Sequence, residues 1–509
     1  MKRGAFSFCA FAILLLIVFG IVACTGNGSS LESNNSSESG EGESSTTTDT
    51  NEQKEYTVLF SCDTALGKII GEAEQTVLEG EKTSPVSVYV NYGYRFIGWS
   101  SGATEPQISI TASENCEISA IIVPVSTSLP TVSILTEGKE EITSTSEYLS
   151  CVVSVGNANE SYCFENEGAK IRGRGNTTWE YEKKPYRLKF DTKIDLFGNG
   201  KSKDWVLLTN YSDLSLSRNF LAQSVTSLFS SINSCSAVQF VELYVNEEYR
   251  GVYLLCEQIE VERSRVEITK SVDVDTGYLI ELDNRLDGRY FKIGSTPYVI
   301  KSPSTDASAY TTEHEEFIKS YLTECFLALG GNDYEKICSL IDVESFAESY
   351  IVYELFNGVD VGYSSFFMYK DAGGKLHAGP PLDFDRSLGI VGHSKDAKPY
   401  DTLWARDKNT WFYWLLRHEE FNSLVGEKLT EYAPKIKEKL TECYDYLYKN
   451  RDSFEKNFEK WDILGTFVWP NDDELTELDT WNLQVEYTRN YLNSSLDFLI
   501  TTYCPKNTN

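Results

Sequence analysis

The chain has 509 residues, a formal net charge of −30, and is 41% hydrophobic and 13% aromatic. Such acidity argues against a nucleic-acid or anionic-lipid surface, which needs clustered Lys and Arg, so any bound nucleotide must be held by local cations. With no Cys-x-x-Cys pair among 12 cysteines, and His314, His377, His393 and His418 not at ligand spacing, zinc sites and histidine-based hydrolases are poor candidates.

Met1-Lys2-Arg3 precedes an apolar run from Phe6 to Val22 that is too short and too early for an ordinary membrane span, and it reads as a signal peptide. The run closes on Ile21-Val22-Ala23-Cys24, small or branched residues before a cysteine, as a lipoprotein signal peptidase accepts. Residues 1–23 are therefore expected to be a leader and Cys24 the lipidated mature N-terminus, which attaches the protein to a membrane without spanning it and places it outside the cytoplasm. Residues 24–55 follow as a Ser-, Glu-, Gly- and Thr-rich stretch with Leu31 as its one large apolar side chain. It cannot bury enough surface to offset its ordering entropy and is expected to be a flexible tether.

Residues 56–125 carry short alternating segments, Tyr56 to Phe60, Val86 to Val90, Tyr94 to Trp99, Ile108 to Ile110 and Ile118 to Val123, predicted to be strands of a small all-β domain with Trp99 in its core. Gln75-Thr76-Val77, the turn Gly80-Glu81-Lys82 and Tyr92 to Trp99 resemble the internalin-type B repeats of bacterial surface proteins, which implies a spacer or adhesion module. The ten cysteines beyond Cys9 and Cys24 permit disulfides in an exported protein, with Cys62 and Cys116 a possible pair, although an anaerobic source would leave them reduced.

Residues 128–505 form the main domain, β-rich over 128–268 and helical over 269–505. In Lys170 to Trp179, Arg172-Gly173-Arg174-Gly175 reads either as a loop whose backbone N–H groups approach an anion or as a tight hairpin. Strand alternation over Tyr186 to Phe190 puts Tyr186, Leu188 and Phe190 on one face and Arg187 and Lys189 on the other, so Lys189 can pair with phosphate oxygens if the sheet roofs a cleft. A helical run is expected from Leu214 to Leu228, with Asp213 or Ser215 as its cap. A hairpin turn is expected at Asn246-Glu247-Glu248, and a helix from Val343 ending at Phe356-Asn357-Gly358, with Gly358 just past its end and Asp360 beyond. In the apolar frame Leu382-Asp383-Phe384-Asp385, an extended backbone would aim both carboxylates one way and Phe384 the other. Their mutual repulsion would be relieved by a cation such as Mg²⁺.

Six blocks occur in one order: Arg172 to Trp179, Lys183 to Phe190, Arg218-Asn219, Gly251-Val252-Tyr253 with Glu257, Asn357 to Asp360, and Asp383-Phe384-Asp385. Together they resemble the CotH family of secreted atypical protein kinases. The resemblance implies an α+β, protein-kinase-like two-lobed domain that transfers phosphate from ATP, with Mg²⁺ or Mn²⁺, to Ser or Thr of secreted or surface proteins. It implies that Asp360 orients the acceptor hydroxyl and that Asp383 or Asp385 holds the metal. Lys189 would pair with ATP phosphates, Arg172 and Arg174 would touch phosphates, and Glu257 would lie beside the adenine. In the kinase template a metal-holding Asn follows the catalytic Asp by five residues; that position is Ser365, and Leu382 stands where the family usually has Trp. These departures keep open a catalytically weak, kinase-like surface binding or scaffold module. A glycosidase pair ranks lower, because carboxylates two residues apart on a strand stand closer together than that chemistry needs.

Overall fold

The computed structural model describes residues 54–64, 66–90, 94–124 and 129–504, so the expected leader, Cys24 and most of the expected tether lie outside the described residues. The first elements are β1 (Glu55–Ser61), β2 (Gly67–Ile70), β3 (Glu74–Leu78), β4 (Val86–Val90), β5 (Tyr94–Trp99), β6 (Gln107–Ile108) and β7 (Cys116–Pro124). They make two small sheets, of order β3-β1-β7-β5 and β2-β4-β6. Trp99 is buried edge-on against Phe60 and Phe96, as a core residue. Cys62 and Cys116 are free thiols, as are the other described cysteines. In the parallel β1–β7 register Cys116 lies opposite Val58, so Cys62 stands four residues farther along. That is roughly 13 Å of strand, beyond the reach of a disulfide.

The next seven strands close into a barrel. They are β8 (Thr131–Thr136), β9 (Leu149–Gly156), β10 (Phe164–Gly173), β11 (Tyr186–Asp195), β12 (Lys201–Leu208), β13 (Val238–Val245) and β14 (Glu248–Glu257), in ring order β10-β11-β12-β14-β13-β8-β9. Period-two alternation fills the interior with Ile171, Leu188, Phe190, Trp205, Leu243 and Leu255. The turn between β13 and β14 has Asn246 and Glu247 both at positive φ (52° and 70°), the primed type whose twist suits a tight hairpin. Lys183 is buried where the barrel meets the helices and donates to Thr209 O, Val252 O and Asn457 Oδ1. Burial pushes its ammonium pKa well down.

Between β12 and β13 runs α1 (Arg218–Thr226). It begins later than its apolar pattern predicts, because Asn210 and Leu216 adopt positive φ and fold residues 210–217 into turns. Asp213 accepts the Arg218 N–H at 2.8 Å, and its carboxylate also pairs with the Arg218 guanidinium, both side chains being fully buried. Arg218 spends its remaining donors on Ser387 O and Leu388 O, each at 3.0 Å, so a helix of the first lobe grips the chain just past Asp385.

The second lobe is not purely helical. It contains a five-stranded sheet of order β16-β17-β15-β18-β19, built from β15 (Tyr278–Leu282), β16 (Tyr290–Ile293), β17 (Thr296–Ser302), β18 (Phe366–Lys370) and β19 (Leu376–Ala378). One face, with Tyr278, Ile280, Tyr298, Ile300 and Met368, packs on the helical core. The other carries Leu279 and Phe367 and meets Ile259, Val261 and Leu382 beneath the barrel. The helices are α2 (Thr312–Leu329), α3 (Tyr334–Leu340), α4 (Val343–Leu355), α5 (Trp404–Lys408), α6 (Thr410–Leu415), α7 (Glu419–Lys449), α8 (Arg451–Lys460), α9 (Asp473–Thr476) and α10 (Trp481–Tyr503). Asp342 caps α4 through the Ser345 N–H at 2.8 Å. At the other end of α4 it is Asn357 (φ 49°), not Gly358, that takes the left-handed conformation. Buried Glu354 on α4 accepts the Ala405 and Arg406 N–H groups at 3.0 and 2.9 Å, which docks α5.

Two stability predictions follow from these buried charges. Arg218→Met strands the Asp213 carboxylate and should cost about 3–5 kcal/mol in denaturant unfolding at pH 7; a loss below 1 kcal/mol would show that the clamp contributes nothing. Burial pushes the Glu354 carboxyl up to about 7, so the folded state holds a proton there that the unfolded chain releases near pH 4.5. Its contribution is fully present below that lower pH and is lost as pH rises through about 7. Thermal unfolding should therefore show a decline in Tm between pH 5 and 8 that is flatter in Glu354→Gln.

Candidate active site

The site forms where the turn after α4 meets the segment after β19. Asp360 opens a turn in which its carbonyl accepts the Tyr363 and Ser364 N–H groups at 2.7 and 3.0 Å. Opposite it, Asp383-Phe384-Asp385 is held at its middle: Phe384 is fully buried, stacks on Tyr353 at 5.1 Å and meets Phe356 edge-on, while its N–H donates to Asn219 Oδ1 at 2.8 Å. The segment is not the extended strand its alternation suggested. Asp383 has φ 70°, and this left-handed turn gives the same convergence by a different route.

Convergence shows in the electrostatics. Burial, then repulsion from Asp383, a hydrogen bond shared with Asp383, and the charge of Asp360 together push the Asp385 carboxyl well above the usual carboxylate range. Burial likewise raises Asp360, against the opposing pull of Arg386. The Arg386 Nη1 sits between both Asp360 oxygens at 3.0 and 3.1 Å, its Nη2 donates to Val391 O, and its guanidinium lies over the exposed Trp469 ring. Ser365, at φ 62°, donates from Oγ to Asp383 Oδ2 at 3.2 Å. Its N–H donates to Glu281 Oε1 at 3.1 Å. Thus Asp360, Ser365, Asp383 and Asp385 stand around one locus. Among the described residues no three His, Cys, Asp or Glu side chains form a ready-made metal cage. The crowding of Asp385 against Asp383 nevertheless fits a divalent cation, which would relieve the repulsion between them.

The barrel supplies the roof. The guanidinium of Arg174 makes no hydrogen bond or ion pair to a described residue; burial lowers its pKa, and its principal opposing charge is that of Asp383. Arg187 shares its outward face and pairs with Asp204 Oδ1 at 2.6 Å. Lys189 lies farther along the same face, exposed and without a described ion pair, opposite Asp204 in register. Arg172 is committed elsewhere, donating to Thr145 O and Gly173 O and stacking on Tyr148. Glu257 ends β14 in an ion pair with Arg265, whose guanidinium covers Trp205.

The two glycines of the Arg172 to Gly175 loop serve packing. A Cβ on Gly173 would strike the Trp179 ring at 2.4 Å, and one on Gly175 (φ 85°) would meet Thr178 Oγ1. The N–H groups of Gly173 and Arg174 are spent on Ser144 O and Pro185 O rather than left open for an anion.

Glu281, Arg386 and Asn219 belong to this centre although sequence reasoning gave none of them a role. Asn219 sits inside a block already singled out and Arg386 directly after one, so their nearness was visible but their partners were not. Glu281 lies in Tyr278–Leu282, buried at every position and lacking the alternation that marks a face. A hollow of about 680 Å³ lies between the small β domain and the barrel, lined by Lys68, Tyr89 and Asn159. It touches none of these carboxylates, and the convergence of charged groups, not size, marks the candidate centre.

No curated protein matches the chain. The model of the family described as CotH kinase protein matches residues 171–499, more than half of the chain and the whole of the centre just described, so the chain belongs to the CotH kinase family.

Proposed function

We propose that this protein is an extracytoplasmic kinase that transfers the γ-phosphoryl group of ATP to Ser or Thr hydroxyls of surface or secreted proteins, while lipid on Cys24 tethers it to a membrane. The observation that carries the reading is the meeting of Asp360 with the Asp383–Asp385 pair beneath the unpaired guanidinium of Arg174. Asp360, held in place by Arg386, orients the acceptor hydroxyl, and because burial outweighs the ion pair its carboxylate stays more basic than usual and can also take the hydroxyl proton. Asp383 and Asp385 would hold Mg²⁺ or Mn²⁺, which when bound neutralises charge on the phosphates. Arg174 offers five N–H donors in a water-poor site, where they act strongly on developing charge.

A second reading, a kinase-like binding or scaffold module, draws on Ser365. Where the kinase template has an Asn that helps hold a second metal, this chain has a hydroxyl already donated to Asp383.

Label transfer from radioactive ATP with Mg²⁺ or Mn²⁺, run beside ATP-induced thermal shift, separates the two. Asp360→Asn should cut transfer about 10²–10⁴-fold while leaving the ATP-dependent shift intact. Asp383→Ala should weaken metal-dependent ATP binding itself by at least about tenfold. Binding without transfer in the wild type would favour the scaffold reading, and neither binding nor transfer would end the kinase reading.

A further inference from the structure

The lower wall of the cleft carries a lysine that no motif points to. On the barrel-facing side of the five-stranded sheet, Glu281 and Lys301 stand among Leu279, Val299 and Phe367 and form an ion pair at 2.7 Å. Glu281 is buried, whereas the Lys301 side chain keeps 29% of its surface open. The pair is the first link of a continuous path: Lys301 Nζ to Glu281 Oε2, Glu281 Oε1 to the Ser365 N–H at 3.1 Å, and Ser365 Oγ to Asp383 Oδ2 at 3.2 Å.

At its other end Lys301 lines a pocket of about 420 Å³, large enough for a nucleoside. The pocket lies where the chain leaves β14 and enters the second lobe. Its apolar walls are Ile259, Val261 and Leu279, and its polar lining includes Thr276 and Ser302. Lys270 also borders it but donates to Val261 O from an exposed position. Lys301 therefore stands between a base-sized, part-apolar hollow and the acidic centre. An ammonium has three donors: Glu281 takes one, Asp287 O accepts a second at 3.4 Å, and one remains for a ligand.

We infer that Lys301, oriented by Glu281, holds the α-phosphate of a nucleotide whose base occupies this pocket, so that the lysine–carboxylate pair organising the nucleotide sits in the second lobe instead of on the barrel. The inference rests on the kinase reading above. It accounts for Lys189 standing exposed without a carboxylate partner. It also gives the buried Glu281 a role beyond packing: it immobilises the lysine and, through the Ser365 N–H, keeps the left-handed turn that aims Ser365 at Asp383.

Nucleotide binding to the whole protein tests this without any need for transfer. Calorimetric titration with adenosine, AMP and ATP should show Lys301→Met weakening AMP and ATP binding about 10- to 100-fold, as loss of a charge-assisted hydrogen bond to phosphate requires. Adenosine affinity should stay unchanged, and Lys301→Arg should recover most of the AMP affinity. Lys336→Met, on an exposed face of α3, controls for charge alone, and an unaltered Tm in Lys301→Met excludes general unfolding. Equal losses for adenosine and AMP would mean that Lys301 only shapes the pocket, and the inference would fall. It would also fall if Lys301→Met bound AMP normally while Lys189→Met did not. A wild-type protein that binds none of the three ligands would defeat the kinase reading itself, a distinct outcome.

Discussion

Three carboxylates in one half-buried cleft cannot all be ionised without help, and the arrangement around Asp360, Asp383 and Asp385 follows from that repulsion. Burial and like charge push Asp385 toward its protonated form, and Asp360 is held by the one guanidinium that reaches both of its oxygens. Protein cations meet only part of the demand. Arg386 is committed to Asp360, Arg187 to Asp204 and Lys301 to Glu281. A site left short of positive charge is suited to a divalent ion carrying phosphates, and the unpaired Arg174 above it adds a second place for the same anion.

Holding the carboxylates there costs backbone strain. Ser365 and Asp383 both occupy the left-handed region, where a non-glycine residue costs on the order of 1–3 kcal/mol. Tyr353 answers both at once, since its hydroxyl donates to Ser365 O at 3.4 Å and accepts the Leu382 N–H at 3.3 Å. Its ring meanwhile stacks on Phe384. From the far side Arg218 fixes Ser387 and Leu388 through their carbonyls. A fully buried tyrosine and a fully buried arginine thus overdetermine two strained turns, which is the condition under which such strain persists.

Much of this was legible in the sequence wherever chemistry and periodicity coincided. The alternation of Tyr186 to Phe190 gives the barrel face directly, and the apolar frame around Asp383 and Asp385 separates them from an ordinary acidic surface turn. Three features stayed hidden for physical reasons. The strand Tyr278–Leu282 is buried on both faces, and a short run without alternation does not distinguish strand from helix. The left-handed turn at Asp383 is a tertiary effect, imposed by Tyr353 and Asn219 on a residue with no glycine to announce it. Partnerships of equivalent-looking cations were also out of reach: Arg172, Arg174, Arg187 and Lys189 share a basic pattern, yet only contacts across the barrel show that Arg172 and Arg187 are spent and Arg174 is free.

That last distinction bears on how a kinase fold can work within so acidic a protein. With a net charge of −30 no long-range field draws a polyanionic nucleotide in, so affinity must come from short-range contacts in places where water is scarce. An exposed lysine such as Lys189 contributes little under those terms, because solvent screens it. Arg174, under the barrel, is better sheltered, whereas Lys301 on the opposing sheet is exposed like Lys189 and differs from it in being held by the buried Glu281, which links it through Ser365 to the Asp383 locus. Placing the cations on opposite walls makes phosphate binding depend on both lobes being present at the cleft. On the proposed reading, the buried Arg218 that ties α1 of the first lobe to the carbonyls beyond Asp385 would then serve binding as well as the fold.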